Sequence, residues 1–161
     1  MDKTVPGRKV MTRKASDNKY LHKDFHVSMN ILLKYIYETF GKKEMVNYLI
    51  QYTDAYHKPL SDELMSGDLS TLCKYFADIY KKEEWPVKIN CEADFLEIVQ
   101  DACPGITQIK EKGETPCPYY LETYNTVYQR LCESTAFEYE LEYFDEETGA
   151  CKQVFRRKEK N

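Results

Sequence analysis

Two Cys-Pro pairs, Cys103-Pro104 and Cys117-Pro118, and one histidine beside an apolar helical stripe, His26, have types and spacings that suit chemistry. Proline is favoured at the first position of a helix, so a cysteine just before it falls at the N-cap. Cys117-Pro118 is read this way. Free N–H groups and the helix dipole at an N-cap lower a thiol pKa, which makes the nucleophilic thiolate available near neutral pH. The plainer alternative is a buried cysteine serving as a small apolar side chain. Pro104-Gly105 is read differently, as the break that ends a strand.

His26 shares the margin of its stripe with Asn30, Leu33 and Tyr37. A margin position suits a general base that lines a pocket between helices and sheet, and it equally suits a half-exposed structural histidine. His22 and His26 stand four apart on one helical face, but no zincin glutamate and no third ligand accompany them, and no C-x-x-C pair occurs. No metal and no cofactor are therefore expected. His57, two residues before Pro59, is expected to be exposed. The acidic residues from Glu133 to Glu147 read as the solvated face of a strand, and the glycines form no phosphate-binding pattern.

The elements that must position these groups follow from periodicity. Phe25, Met29, Leu32, Leu33, Ile36 and Phe40 recur at helical spacing up to Gly41. Met45, Leu49, Tyr52 and Tyr56 repeat it over a second helix that Lys58-Pro59 closes. A third helix buries Leu69, Leu72, Cys73, Phe76, Ile79 and Tyr80 and ends before Pro86. From Val87 the period falls to two, which predicts a strand through Cys91. Residues 94–102 form a second strand, central because apolar residues fall on both its faces. A fourth helix carries Leu121, Tyr124, Tyr128, Leu131 and Cys132. Phe137 to Tyr143 and Cys151 to Arg157 then form a hairpin through Asp145–Gly149. The fold predicted is α+β, with N-terminal helices packed on a small, mostly antiparallel four-stranded sheet.

A chain of 161 residues fits one domain with one core. Residues 1–23 read as a basic arm, 24–157 as the single domain and 158–161 as a frayed tail. The net charge of −4 argues against nucleic acid, because counterion release needs a concentrated basic surface. No run of apolar residues approaches a membrane span, and no secretory h-region opens the chain, so a cytoplasmic protein is expected. Its six cysteines are widely spaced in a domain large enough to fold without staples, and reduced thiols follow. Fourteen tyrosines are the compositional oddity, suited either to a shallow core or to a polar-lined pocket.

Several local patterns resemble the family of L-2-amino-thiazoline-4-carboxylic acid hydrolase. They are Asp24-Phe25-His26 with Asn30 and Tyr35 leading to Phe40-Gly41, Cys103-Pro104 after an apolar strand, and the closing run from Gly149 to Phe155. The match spans roughly Asp24 to Arg157. It implies an α+β fold and, for the named member, hydrolytic opening of a thiazoline ring. The architecture is also similar to vinyl-reductase-type domains, which enclose a small molecule without changing it. Two functions stand side by side: a hydrolase of a C–N bond in a thiazoline- or ureido-type amino acid derivative, and a non-catalytic binding domain. For the hydrolase, Cys117 or Cys103 is the nucleophile, His26 the base, and Asn30 or Tyr124 a polar positioner. Tyr37 and Cys151 complete the expected substrate-binding set. The expected partner is a small molecule, with no nucleic acid and no membrane, and a homodimer is allowed. His26 and at least one of Cys103, Cys117 and Cys151 are expected to line one cavity between the first helix and the sheet.

Overall fold

A change from helical to alternating periodicity near residue 87 divides the chain as the sequence suggests. The computed structural model describes residues 21–159, with side chains from Phe25 onward. Residues 1–20 of the basic arm, the side chains of residues 21–24 and the end of the C-terminal tail lie outside the described residues, while residues 21–23, expected to belong to the arm, open the first helix. Four helices come first: α1 (Leu21–Phe40), α2 (Lys42–Tyr56), α3 (Lys58–Leu64) and α4 (Ser70–Lys82). They are followed by β1 (Lys88–Cys91), β2 (Phe95–Gln100), α5 (Pro104–Glu111), α6 (Glu122–Cys132), β3 (Phe137–Phe144) and β4 (Cys151–Arg157). The four strands form one antiparallel sheet in the order β1-β2-β4-β3, giving an α+β fold.

The last two strands pair as a hairpin, from Phe137 opposite Arg157 to Phe144 opposite Cys151. Its turn is closed by the Asp145 N–H on the Ala150 carbonyl and the Gly149 N–H on the Asp145 carbonyl, each at 2.8 Å. A register shift between Leu141 and Tyr143 breaks the strict alternation, which leaves Tyr143 exposed although the pattern put it inside. Strand β2 is internal, and Leu96, Ile98 and Gln100 point to its buried face.

Two prolines expected to end elements begin them instead. Pro59 stands in the first turn of α3 and Pro104 in the first turn of α5, where a missing N–H costs nothing. The N-cap cysteine is Cys103, not Cys117: residues 118–121 form turns, and α6 starts only at Glu122. The stripe of α1 is also narrower than its spacing implied. Leu33 is buried and Met29 and Ile36 half-buried, whereas Phe25, Leu32 and Phe40 are exposed.

Two clusters make the core. One joins Leu72, Phe76 and Tyr80 of α4 to Leu96, Ile98, Phe137 and Phe155 of the sheet. The other joins Leu33, Met45 and Leu49 of the first two helices to Cys117 and Val127. Helix α6 serves both, because Leu131 and Cys132 belong to the first, Val127 to the second, and Tyr128 packs against each. Each fully buried Leu or Phe contributes about 1.5–3 kcal/mol.

One cysteine expectation is overturned. Cys73 of α4 and Cys91 of β1 form a disulfide, with Cα atoms 6.3 Å apart. Their 18-residue separation in sequence hid their proximity, since the chain doubles back between α4 and β1. Cys103, Cys117, Cys132 and Cys151 are free and buried. Thiol titration of the unfolded, unreduced chain should therefore return four reactive groups and not six. Breaking the bond with Cys73→Ser plus Cys91→Ser should lower stability by about 2–4 kcal/mol, measured by urea denaturation, whereas equal midpoints with and without reductant would contradict a closed bond.

Candidate ligand cavity

Among α1, α2, α4 and α6 lies a cavity of about 160 Å³; no described strand residue lines it, so it sits among the helices and not, as the sequence suggested, between the first helix and the sheet. Helix α1 contributes Phe25, His26 and Met29, and α2 contributes Leu49 and Tyr52. The apolar stripe of α4 supplies Tyr75, Phe76, Ile79 and Tyr80, continued past the helix end by Glu83. Cys103 and Pro104 close one end, and α6 with the turn before it adds Tyr120, Thr123, Tyr124, Val127 and Tyr128. Six of the fourteen tyrosines thus face one space, so the tyrosine-rich composition serves a pocket as well as the core.

At the Cys103 end the polar groups are wired together. As N-cap of α5, Cys103 donates its N–H to the Thr148 carbonyl at 2.9 Å, and its sulfur accepts from the Ile106 N–H at 3.5 Å. The Tyr124 hydroxyl donates to the same sulfur at 2.9 Å. Gln100 donates from Nε2 to the Tyr124 oxygen at 3.2 Å and to the Gly149 carbonyl at 3.0 Å, while its Oε1 accepts from the Tyr80 hydroxyl at 2.7 Å. A buried relay results, running from Tyr80 through Gln100 and Tyr124 to Cys103.

Burial nevertheless decides the state of the thiol. Desolvation raises the Cys103 pKa above its ordinary 9.0, against the lowering effect of the Tyr124 hydroxyl and the Ile106 and Gly105 N–H groups. The same cause pushes the Tyr120 and Tyr124 hydroxyls far up. Cys103 is a protonated thiol at neutral pH, even at an N-cap.

Two glycines let this corner close. A methyl group on Gly105 would fall on the Tyr120 hydroxyl and on His26 Nδ1. Gly149 combines a φ of +70° with a contact against the Cys103 Cβ that admits no side chain.

Beside Gly105, at the same corner, His26 Nε2 lies 2.9 Å from Glu83 Oε1. Glu83 is 2% exposed, a rare burial for a carboxylate. In sequence it sits within Lys81-Lys82-Glu83-Glu84 and reads as solvated charge. The signal that identifies it is spacing, because Glu83 falls three residues after Tyr80 and seven after Phe76, on the same stripe. His57 is also better packed than its loop position suggested. Its ring meets Tyr52 and Tyr75 edge-on at 5.5 and 6.1 Å, and burial lowers its pKa, so it is neutral at pH 7.

The remaining candidates lie elsewhere. Asn30 is wholly buried and serves structure: Oδ1 accepts from the Cys117 N–H at 2.7 Å, and Nδ2 donates to the Thr115 carbonyl at 2.9 Å. Cys117 packs beside Met45, with its pKa pushed up to about 11 by burial. Tyr37 stacks edge-on against Tyr119, away from the cavity lining. Cys151 stands behind the lining at the start of β4, buried and raised to about 12. Of the expected set, the cavity brings together His26, Cys103 and Tyr124.

Gly105→Ala should destabilise the fold by about 1–3 kcal/mol and displace the His26 ring, a shift readable in its NMR resonances; unchanged resonances would contradict the close approach. A second expectation concerns pH. The unfolded chain releases thiol protons near 9.0, whereas the folded chain holds those of Cys117 to about 11 and those of Cys132 and Cys151 to about 12. The unfolded state then binds fewer protons, so stability falls as pH rises through this window. Urea midpoints of the reduced protein measured across it should decrease, and a flat profile would refute the burial of these thiols.

No protein-family model matches this sequence, and no curated protein matches it, so geometry carries the functional argument.

Proposed function

We propose that the chain binds a small organic molecule in the cavity between α1, α4 and α6, as a non-catalytic domain of the vinyl-reductase-like kind. The observation that supports this is a largely aromatic lining with a few polar groups, His26–Glu83 and Cys103–Tyr124, fixed by hydrogen bonds. Such a lining provides apolar area for affinity and a few fixed polar groups for orientation. Burial also argues for binding over catalysis, since it keeps the one free cysteine that lines the cavity protonated. The same reading needs no cofactor. Among the described residues, no helix is long and apolar enough to cross a membrane.

One observation favours a second reading, membership of the thiazoline-carboxylate hydrolase-like family. A cysteine, a tyrosine hydroxyl and a carboxylate-supported histidine line the same cavity. In that chemistry His26 would accept the Cys103 proton, the thiolate would add to the electrophilic carbon of a thiazoline or ureido group, and Tyr124 would orient the ligand. Asn30, engaged with Cys117 and Thr115, would take no part.

Thermal denaturation with one-ring compounds and with thiazoline or ureido acids, followed by chromatography of each ligand, separates the two. Binding predicts a raised Tm with the compound recovered intact; saturation at about a hundred times Kd adds ~2.7 kcal/mol. Hydrolysis predicts a product that Cys103→Ala abolishes. An absence of both effects would overturn the cavity as a ligand site.

A further inference from the structure

The hydrogen bonds at the Cys103 corner run in one direction. Tyr80 donates to Gln100, Gln100 donates to Tyr124, and Tyr124 donates to the Cys103 sulfur. The second proton of the Gln100 amide goes to the Gly149 carbonyl, so every donor up to the sulfur is used. Cys103 takes a further N–H from Ile106. Its own S–H proton is next in line, and among the described residues no oxygen or nitrogen receives it. Cys117, by contrast, gives its proton to the Pro118 carbonyl at 3.2 Å.

Tyr120 adds a second donor at the same place. Its hydroxyl borders the sulfur, lies where a methyl group on Gly105 would strike it, and has no oxygen or nitrogen partner among the described residues. Burial keeps that hydroxyl protonated and so able to donate. The backbone around it is already engaged: the carbonyls of Cys103, Thr148 and Gly149 accept from Thr107, Cys103 and Gln100. Both Cys103 and Tyr120 line the cavity, so the corner turns two protons toward it with no acceptor to spare. Polar groups shielded from water are costly unless something meets them, and here a ligand can.

A carbonyl oxygen has two lone pairs and no proton, which matches two donors. An alcohol would bring one more donor to a corner that already has a surplus. The rest of the ligand is set by the walls, where Tyr52, Tyr75, Phe76 and Tyr128 present rings. A cavity of roughly 150 Å³ accepts benzene, and this one measures about 160 Å³.

We propose that the cavity holds a one-ring carbonyl compound whose oxygen accepts from the Tyr120 hydroxyl beside the Cys103 thiol, with its ring against the aromatic wall. This rests on the binding reading above and specifies its ligand class. The contact needs no charge on either side, so His26 and Glu83 keep the partners they have.

Acetophenone and 2-phenylpropene share one skeleton and differ in an oxygen against a methylene. Water holds the ketone more strongly, so the quantity to read is how each affinity changes in Tyr120→Phe. That variant keeps the ring and strands no oxygen or nitrogen partner. Titration of the full-length protein should show acetophenone weakened about three- to tenfold, with 2-phenylpropene bound as before or more tightly. The carbonyl stretching band of bound acetophenone should also lie below its position in an alkane, where no donor meets it. If Tyr120→Phe does not fold, that band in the native protein decides. An unchanged acetophenone affinity in the folded variant, or a band at the alkane position, would overturn the carbonyl assignment and leave the binding reading intact. So would binding of 2-phenylpropene alone. Failure of both compounds to bind would remove the binding reading and the ligand class together.

Discussion

The bond from the Cys103 N–H to the Thr148 carbonyl joins the start of α5 to the turn of the β3–β4 hairpin, two segments 45 residues apart. Everything at the closed end of the cavity takes its position from this joint. Cys103 can cap α5 only because the strand before it is held at Gln100, opposite Cys151 in the sheet. Gln100 in turn fixes the hairpin turn through the Gly149 carbonyl. The fit is close enough that neither Gly105 nor Gly149 has room for a methyl group. Buried polar atoms in so tight a joint must be paired, since each one left without a partner would cost about 1–3 kcal/mol. Tyr80, Gln100 and Tyr124 satisfy one another in sequence, and the thiol terminates the run.

This wiring explains why tyrosine and not phenylalanine lines so much of the space. A phenylalanine at 80 or 124 would keep the apolar area and strand Gln100 inside the sheet with unmet hydrogen bonds. Tyr128, in contrast, makes ring contacts with Phe76, Tyr139 and Phe155 and bridges the two core clusters. The same residue type thus does two jobs one turn apart on a single face of α6, hydrogen bonding at Tyr124 and ring packing at Tyr128.

Much of the architecture was legible because it rests on periodicity. The alternation of Phe137 to Tyr143 and the Asp145–Gly149 turn specified the hairpin, and the stripe of α4 specified the wall it builds. Proline was the ambiguous letter: Pro59 and Pro104 each fit either the end of one element or the start of the next. Only tertiary packing, of α3 against α4 and α6 and of α5 against α1, shows which applies. His26 and Cys103 were visible through residue type. Asn30 drew attention through its place on the helix margin, but a margin asparagine can face a cavity or a loop backbone, and here it holds the loop that carries Thr115 and Cys117. Glu83 was hidden by the charged residues around it, and the Cys73–Cys91 contact by the fold-back between α4 and β1.

Burial also sets the balance between the chemistry this cavity resembles and the chemistry it can perform. An N-cap and a nearby histidine are arrangements that elsewhere activate a thiol, yet their effect depends on stabilising a negative charge on sulfur. Here the enclosure that gives the cavity its shape desolvates the sulfur, and Glu83 adds a like charge that opposes ionisation further. The carboxylate that orients His26 therefore disfavours the thiolate that a Cys–His mechanism would need.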